Sequence, residues 1–174
     1  MAPKLDFILE GAGWASIEIS AGEFTRRIEG ISYTTDALDD LLRMGIDIAT
    51  DKGWSFAQFD HEPGATTLVA ETGWWENDDP VSGARLSAFK LVPGTQGITW
   101  SVIHKSARDF ILPVRSRDEL ATLFLRAAER VLERHGEDGY AKAWAGRLAF
   151  PIRAMKALDA ALNSPASPPL HYNP

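Results

Sequence analysis

The chain has 174 residues, 45% of them apolar and 24% charged, which is the balance of a globular protein with room for a sizeable core. It has no cysteine, which excludes disulfides, thiolate nucleophiles and cysteine-held metal or iron–sulfur centres. A net charge of −6 opposes general affinity for nucleic acid phosphates, which require a basic face, and leaves a basic protein partner open.

The first residues, Met1-Ala2-Pro3-Lys4-Leu5-Asp6-Phe7, place an acid inside any would-be apolar core, so no secretory signal is expected. No run of about 18 uncharged apolar residues suggests a membrane span. These features predict a cytoplasmic protein with no membrane and no nucleic acid among its partners.

In chain order, Leu5, Phe7 and Leu9 alternate with Asp6, Ile8 and Glu10, the period of a half-buried strand. Gly11-Ala12-Gly13 is a turn, Trp14–Ser20 a second strand, Ala21-Gly22 a second turn and Phe24–Ile31 a third strand. Thr34-Thr35-Asp36 then caps a helix whose Leu38, Leu41, Leu42, Ile46 and Ala49 share a face, with Gly53 beyond its end. Five further strands are predicted: 54–60, 66–75, 84–92, 98–104 and 108–114. Short turns separate them, and Pro113 suits an edge.

Ser116-Arg117-Asp118-Glu119 is a capping box opening a helix with Leu120, Leu123, Phe124, Ala127, Ala128, Val131 and Leu132 as its stripe. His135-Gly136 closes it, a short helical piece over Tyr140–Ala145 follows, and Pro151 opens a last amphipathic helix. Residues 164–174 read as a loose tail after one domain over residues 1–163. The predicted fold class is α+β: a curved antiparallel multi-stranded sheet with one long helix and C-terminal helices packed on one face.

Motifs that carry chemistry are scarce. The histidines at 61, 104, 135 and 171 lack ligand spacing, so no metal and no cofactor is expected. No Gly-x-Ser-x-Gly elbow occurs, and Gly11-Ala12-Gly13 lacks the third glycine of a dinucleotide loop. Adjacent Asp39 and Asp40 point about 100° apart on a helix, which favours capping, with Asp39 paired to Arg43, over acid–base work. The stripe Arg126, Arg130, Arg134 is interleaved with Glu129 and Glu133 and reads as a solvated face.

Tryptophans Trp54 and Trp100 alternate with apolar neighbours and are expected in the core, while Trp144 is expected to dock the C-terminal helices. Trp74-Trp75 cannot both face inward from one strand. They border Glu76, Asp78 and Asp79, at the sheet end where an up-and-down order would also bring His104, Lys105 and Arg108. This makes Trp74, Trp75, Glu76, Asp78, Asp79, His104 and Arg108 the candidate binding residues, an aromatic anchor among acids. The alternative is that Trp75 packs under its own loop.

Together with Phe59-Asp60-His61-Glu62-Pro63-Gly64 and Gly136-Glu137-Asp138-Gly139-Tyr140, the run Ile31-Ser32-Tyr33-Thr34-Thr35-Asp36-Ala37-Leu38-Asp39-Asp40-Leu41-Leu42 resembles small uncharacterised bacterial α+β proteins. The resemblance spans most of residues 5 to 146 and rests on turn and cap features that identify no chemistry. Some such proteins resemble immunity proteins, small acidic domains that occupy the active site of a toxin. The acidic balance, the lack of a recognisable catalytic constellation and the Trp74-Trp75 acidic loop point to a non-enzymatic protein-binding domain, to which the resemblance adds an immunity-like role. The alternative is a small-molecule binder or enzyme with a pocket between sheet and helices, supported by polar groups such as His104, Asp109 or Tyr33 converging on it. A third reading is a homo-dimer joined through a sheet edge.

Overall fold

The computed structural model describes residues 2–61, 64–76, 79–91 and 107–164, and it is an α+β fold whose strands are antiparallel throughout. Three strands come first: β1 (Lys4–Gly11), β2 (Trp14–Ala21) and β3 (Phe24–Ser32). The alternation read in the sequence sets their register, with Leu5 opposite Ile19 and Phe7 opposite Ile17, so one face is apolar and buried. Gly13 turns the β1–β2 hairpin at φ +85° and donates its N–H to Ala143 O at 2.8 Å. A Cβ there would lie 2.6 Å from the Tyr33 ring, so this close approach requires glycine.

Helix α1 (Ala37–Ala49) crosses from this sheet to a second one. The second sheet has the order β4 (Trp54–Asp60), β5 (Ala65–Glu76), β6 (Asp79–Leu91) and β7 (Ala107–Val114). The predicted strand 98–104 lies outside the described residues, and β7 pairs directly with β6, Leu112 opposite Leu86. Pro113 is accordingly on the strand that ends the described sheet. The two sheets meet where β3 passes the end of β4, with the Asp60 N–H donating to Thr35 Oγ1 at 3.1 Å.

Trp54 overturns its expected core position. On β4 the residues Ser55, Ala57 and Phe59 face α1, and Ser55 donates to Asp47 of that helix at 2.8 Å. The strand period then forces Trp54 and Phe56 outward, where they stack with centroids 5.8 Å apart and Trp54 is 44% exposed. Alternation alone could not decide which set faces the helix. Trp100 lies outside the described residues.

Helix α2 (Arg117–Ala143) opens with the predicted capping box: Glu119 N–H donates to Ser116 Oγ at 3.1 Å. The reciprocal arm is displaced by one residue, since Glu119 Oε2 accepts from the Arg115 N–H at 3.0 Å. The stop read at Gly136 is a break in dihedrals (φ 64°, ψ 177°), a region open essentially to glycine, after which helical turns resume to Ala143. The break redirects the chain so that Tyr140 and, at the helix end, Trp144 enter the core, both fully buried.

Helix α3 (Ile152–Asn163) follows, with Pro151 at its N-cap position. It lies alongside α1 in the same direction, and Gly45 permits their contact, because a Cβ at 45 would fall 2.8 Å from Leu158 Cδ2. All three helices and both sheets contribute to one continuous apolar core. The arginine stripe on α2 is partly structural. Arg130 reaches β1, donating to Asp6 at 2.6 Å and to Leu5 O, while Arg126 pairs with Glu129 on its own helix. Burial opposes a charge on Asp6, but Lys4 and Arg130 overcome it and hold the carboxyl below its ordinary range. Among the described residues no helix is long and apolar enough to cross a membrane.

Candidate functional site

The parallel packing of α1 and α3 is tight at Gly45 and opens toward their N-termini, leaving a cleft of about 540 Å³. Ile46 of α1 and Phe150, Ile152, Ala154 and Ala157 on the α3 side give it an apolar lining, while Asp36, Asp39, Arg43 and Arg153 supply charge. Small side chains at 154 and 157 keep the α3 wall low. A smaller cavity of about 270 Å³ lies between sheet and helix, where Lys4 and Leu5 of β1 face Glu119, Leu123, Arg126 and Arg130 of α2. The inward sheet face is filled by Leu68, Ala70, Leu86, Ala88 and Leu112, all buried.

Three carboxylates stand within one turn at the start of α1. Asp36 holds the N-cap position but makes no side-chain cap hydrogen bond, and its Oδ1 is buried with no partner. Asp39 accepts from Arg43, the i, i+4 pair expected from the sequence. Asp40 forms no ion pair among the described residues. Burial, then the charges of Asp36 and Asp39, push its carboxyl up to about 6, with Arg43 opposing only in part. Asp36 is raised too, by burial first and by Asp39 next. A helix N-terminus stabilises nearby anions, which explains why acids are tolerated here. It does not neutralise three of them.

Behind Asp36 is an aromatic wall. Tyr140 packs edge-on against Phe150 (5.4 Å between centroids) and Trp144 (6.0 Å), and Trp144 in turn meets Phe7 at 6.4 Å. Tyr140 Oη and Trp144 Nε1 are buried without hydrogen-bond partners. Burial, then the charge of Asp36, holds the phenol protonated far above any physiological pH. In the connection between α2 and α3, the Arg147 guanidinium lies 4.4 Å from the Tyr33 ring centroid, a cation–π contact that ties it to the residues leading into α1.

The sequence-predicted binding residues fall elsewhere and do not converge. Trp74, Trp75, Glu76 and Asp79 lie on the β5–β6 hairpin, in register with Val81, Pro80 and each other. Arg108 sits opposite Phe89, at the other end of β6, roughly 30 Å away at about 3.3 Å per residue. Asp78, His104 and Lys105 lie outside the described residues. Asp109 lines a separate cavity of about 220 Å³ between the two sheets with Arg27, Glu29 and His61, whose Nε2 is 2.9 Å from Thr66 Oγ1. No cluster of three metal-ligating side chains occurs among the described residues.

The adjacent pair Asp39-Asp40 does not reveal the cleft, because neighbouring side chains on a helix diverge by about 100°. The informative spacing was Asp36 to Asp40, i to i+4, with Tyr140 and Trp144 at the same spacing on α2. What no pattern in the sequence supplied was that α3 would lie parallel to α1. No protein-family model matches this chain, and neither does any curated protein or solved structure, so its chemistry is read from this geometry.

Proposed function

We propose that the protein binds a small organic amine in the α1–α3 cleft, the ammonium meeting Asp36 and Asp39 beside Asp40 and the carbon body lying on Phe150, Ile152 and Ala157. The observation that carries this reading is that Asp36 lines the cleft with a buried Oδ1 that has no partner, while Arg43 is taken up by Asp39; burial, then the charges of Asp36 and Asp39, push the neighbouring Asp40 up to about 6. A cation entering the cleft relieves that repulsion, and the apolar lining rewards a hydrocarbon attached to it. Such a ligand needs no catalytic group, in keeping with a non-enzymatic binding protein.

Calorimetric titration at pH 7.5 with benzylamine and hexylamine, against benzoate and hexanoate, tests it. Both amines should bind and raise Tm, and Asp36→Asn should weaken them about tenfold, the loss of roughly 1.4 kcal/mol. Binding of the carboxylates instead would mean that Arg153 and the α3 N-terminus define an anion site, and this reading would be wrong.

A second reading is supported by the β5–β6 hairpin. From Trp74 to Val81 its strands pair only with each other among the described residues, because β4 stops opposite Glu71 and β7 opposite Ala84. This two-stranded arm carries the adjacent aromatics Trp74 and Trp75, followed by Glu76 and, on β6, Asp79. It suits docking to the basic surface of a protein partner, as an immunity-like domain would do. Co-purification with wild type and with Trp75→Ala should show a basic partner lost only in the variant; identical recovery from both would remove this reading.

A further inference from the structure

The three buried polar atoms behind the cleft form a set whose chemistry is complementary to one particular group. Asp36 Oδ1 can only accept, Trp144 Nε1 can only donate, and Tyr140 Oη can do either; none has a partner. They share one neighbourhood. The Tyr140 and Trp144 rings meet edge-on at 6.0 Å, and the indole N–H is near enough to the phenol oxygen to favour its ionised form without making a hydrogen bond of ordinary geometry. Phe150, whose ring meets that of Tyr140 at 5.4 Å, lines the cleft together with Asp36, and the Asp36 charge acts on the same phenol. Buried groups left in this way cost free energy, and native proteins rarely leave three together.

We infer that Asp36 Oδ1, Tyr140 Oη and Trp144 Nε1 together seat one hydroxyl oxygen, either of a buried water or of a ligand in the adjoining cleft. A hydroxyl donates one hydrogen bond, to Asp36, and accepts two, from Tyr140 and Trp144, so all three atoms are satisfied at once. An ammonium would face the indole N–H with nothing to accept it. A carbonyl or an anion would set a lone pair against Asp36. A metal ion finds only one ligand of the required kind. If the amine reading of the cleft holds, the ligand-borne version makes the preferred class an amino alcohol; the water-borne version stands without that reading.

The experiment pairs two measurements on wild type and Tyr140→Phe. In the first, 2-phenylethylamine and 2-amino-1-phenylethanol are titrated. A ligand hydroxyl in the seat makes the amino alcohol bind about tenfold tighter, the worth of one hydrogen bond to a charged group, and Tyr140→Phe, which removes one of the three partners, lowers the ratio of the two affinities. In the second, an unliganded crystal structure is combined with Tm. A water within hydrogen-bond distance of all three atoms, with Tyr140→Phe lowering Tm by about 2–4 °C, places water in the seat. Failure of both amines to bind removes the cleft reading and leaves the second measurement to decide. An empty seat, no hydroxyl advantage and a Tm that rises in Tyr140→Phe would show Tyr140 Oη to be a true orphan and overturn the inference.

Discussion

Replacing Trp144 by alanine is expected to destabilise the protein by about 3–5 kcal/mol, the usual cost of removing a fully buried large aromatic. For a chain of this size that lowers Tm by roughly 10 °C or more. The argument is one of position. Trp144 joins β1 through Phe7 to α2 through Tyr140, and directly before it the Ala143 carbonyl accepts the N–H of Gly13 from the β1–β2 turn. The cavity left by alanine cannot collapse, because strand, hairpin turn and helix end are each fixed by other contacts. Trp144→Phe, which keeps most of the volume, should cost less than half as much. Urea denaturation of the two variants measures both, and a loss under 1 kcal/mol for the alanine variant would mean the α2 end lies outside the cooperative core.

The second large effect runs the other way. Asp40→Asn should stabilise the protein at pH 7.5 by about 1–2 kcal/mol. The Asp40 carboxyl titrates near 6 when folded and near 3.9 in an unfolded chain. Between those values the folded state holds the extra proton, so the contribution of Asp40 to stability falls as pH rises from about 4 to 6 and stays at its least favourable above that. Two pKa units correspond to about 3 kcal/mol at most, and partial solvent screening reduces the expected figure. Asparagine removes the charge, so the gain should fade to nothing below pH 4. Thermal unfolding of both proteins from pH 3.5 to 8 checks the prediction; a gain independent of pH would assign it to something other than ionisation. A residue that costs stability at neutral pH is the signature expected where binding sets the choice of side chain.

Local chemistry made much of the fold legible. The β1–β3 meander followed from alternation and two glycine turns, and α2 from its capping box and stripe. The break at Gly136 was anticipated as a stop, because a left-handed glycine after a basic turn ends helices in most settings; here core burial of Tyr140 and Trp144 let the helix resume. Trp54 was misplaced for a different reason. A strand with large apolar residues in one set and Ala57 and Phe59 in the other has two plausible inward faces, and only the position of α1 over Ser55 selects one. Among the site residues, the Asp39–Arg43 pair could be read from spacing alone. The convergence of Asp36, Tyr140 and Phe150 could not, because it depends on the parallel approach of α1 and α3 permitted by Gly45. Trp74, Trp75, Glu76 and Asp79 share one end of the β5–β6 pair, whereas Arg108 lies at the other end of β6 because β7 runs directly beside it.

The unsupported stretch of the β5–β6 hairpin has one more consequence. A two-stranded ribbon that pairs with no other strand among the described residues presents rows of backbone donors and acceptors to any passing strand, which is how native sheets begin to aggregate. Proline at position 80 has no N–H to offer, and Glu76 and Asp79 add like charges that repel an identical ribbon. The sequence of the arm thus guards against self-stacking, and a Pro80→Val, Asp79→Thr chain would be the one to watch for fibrous precipitate.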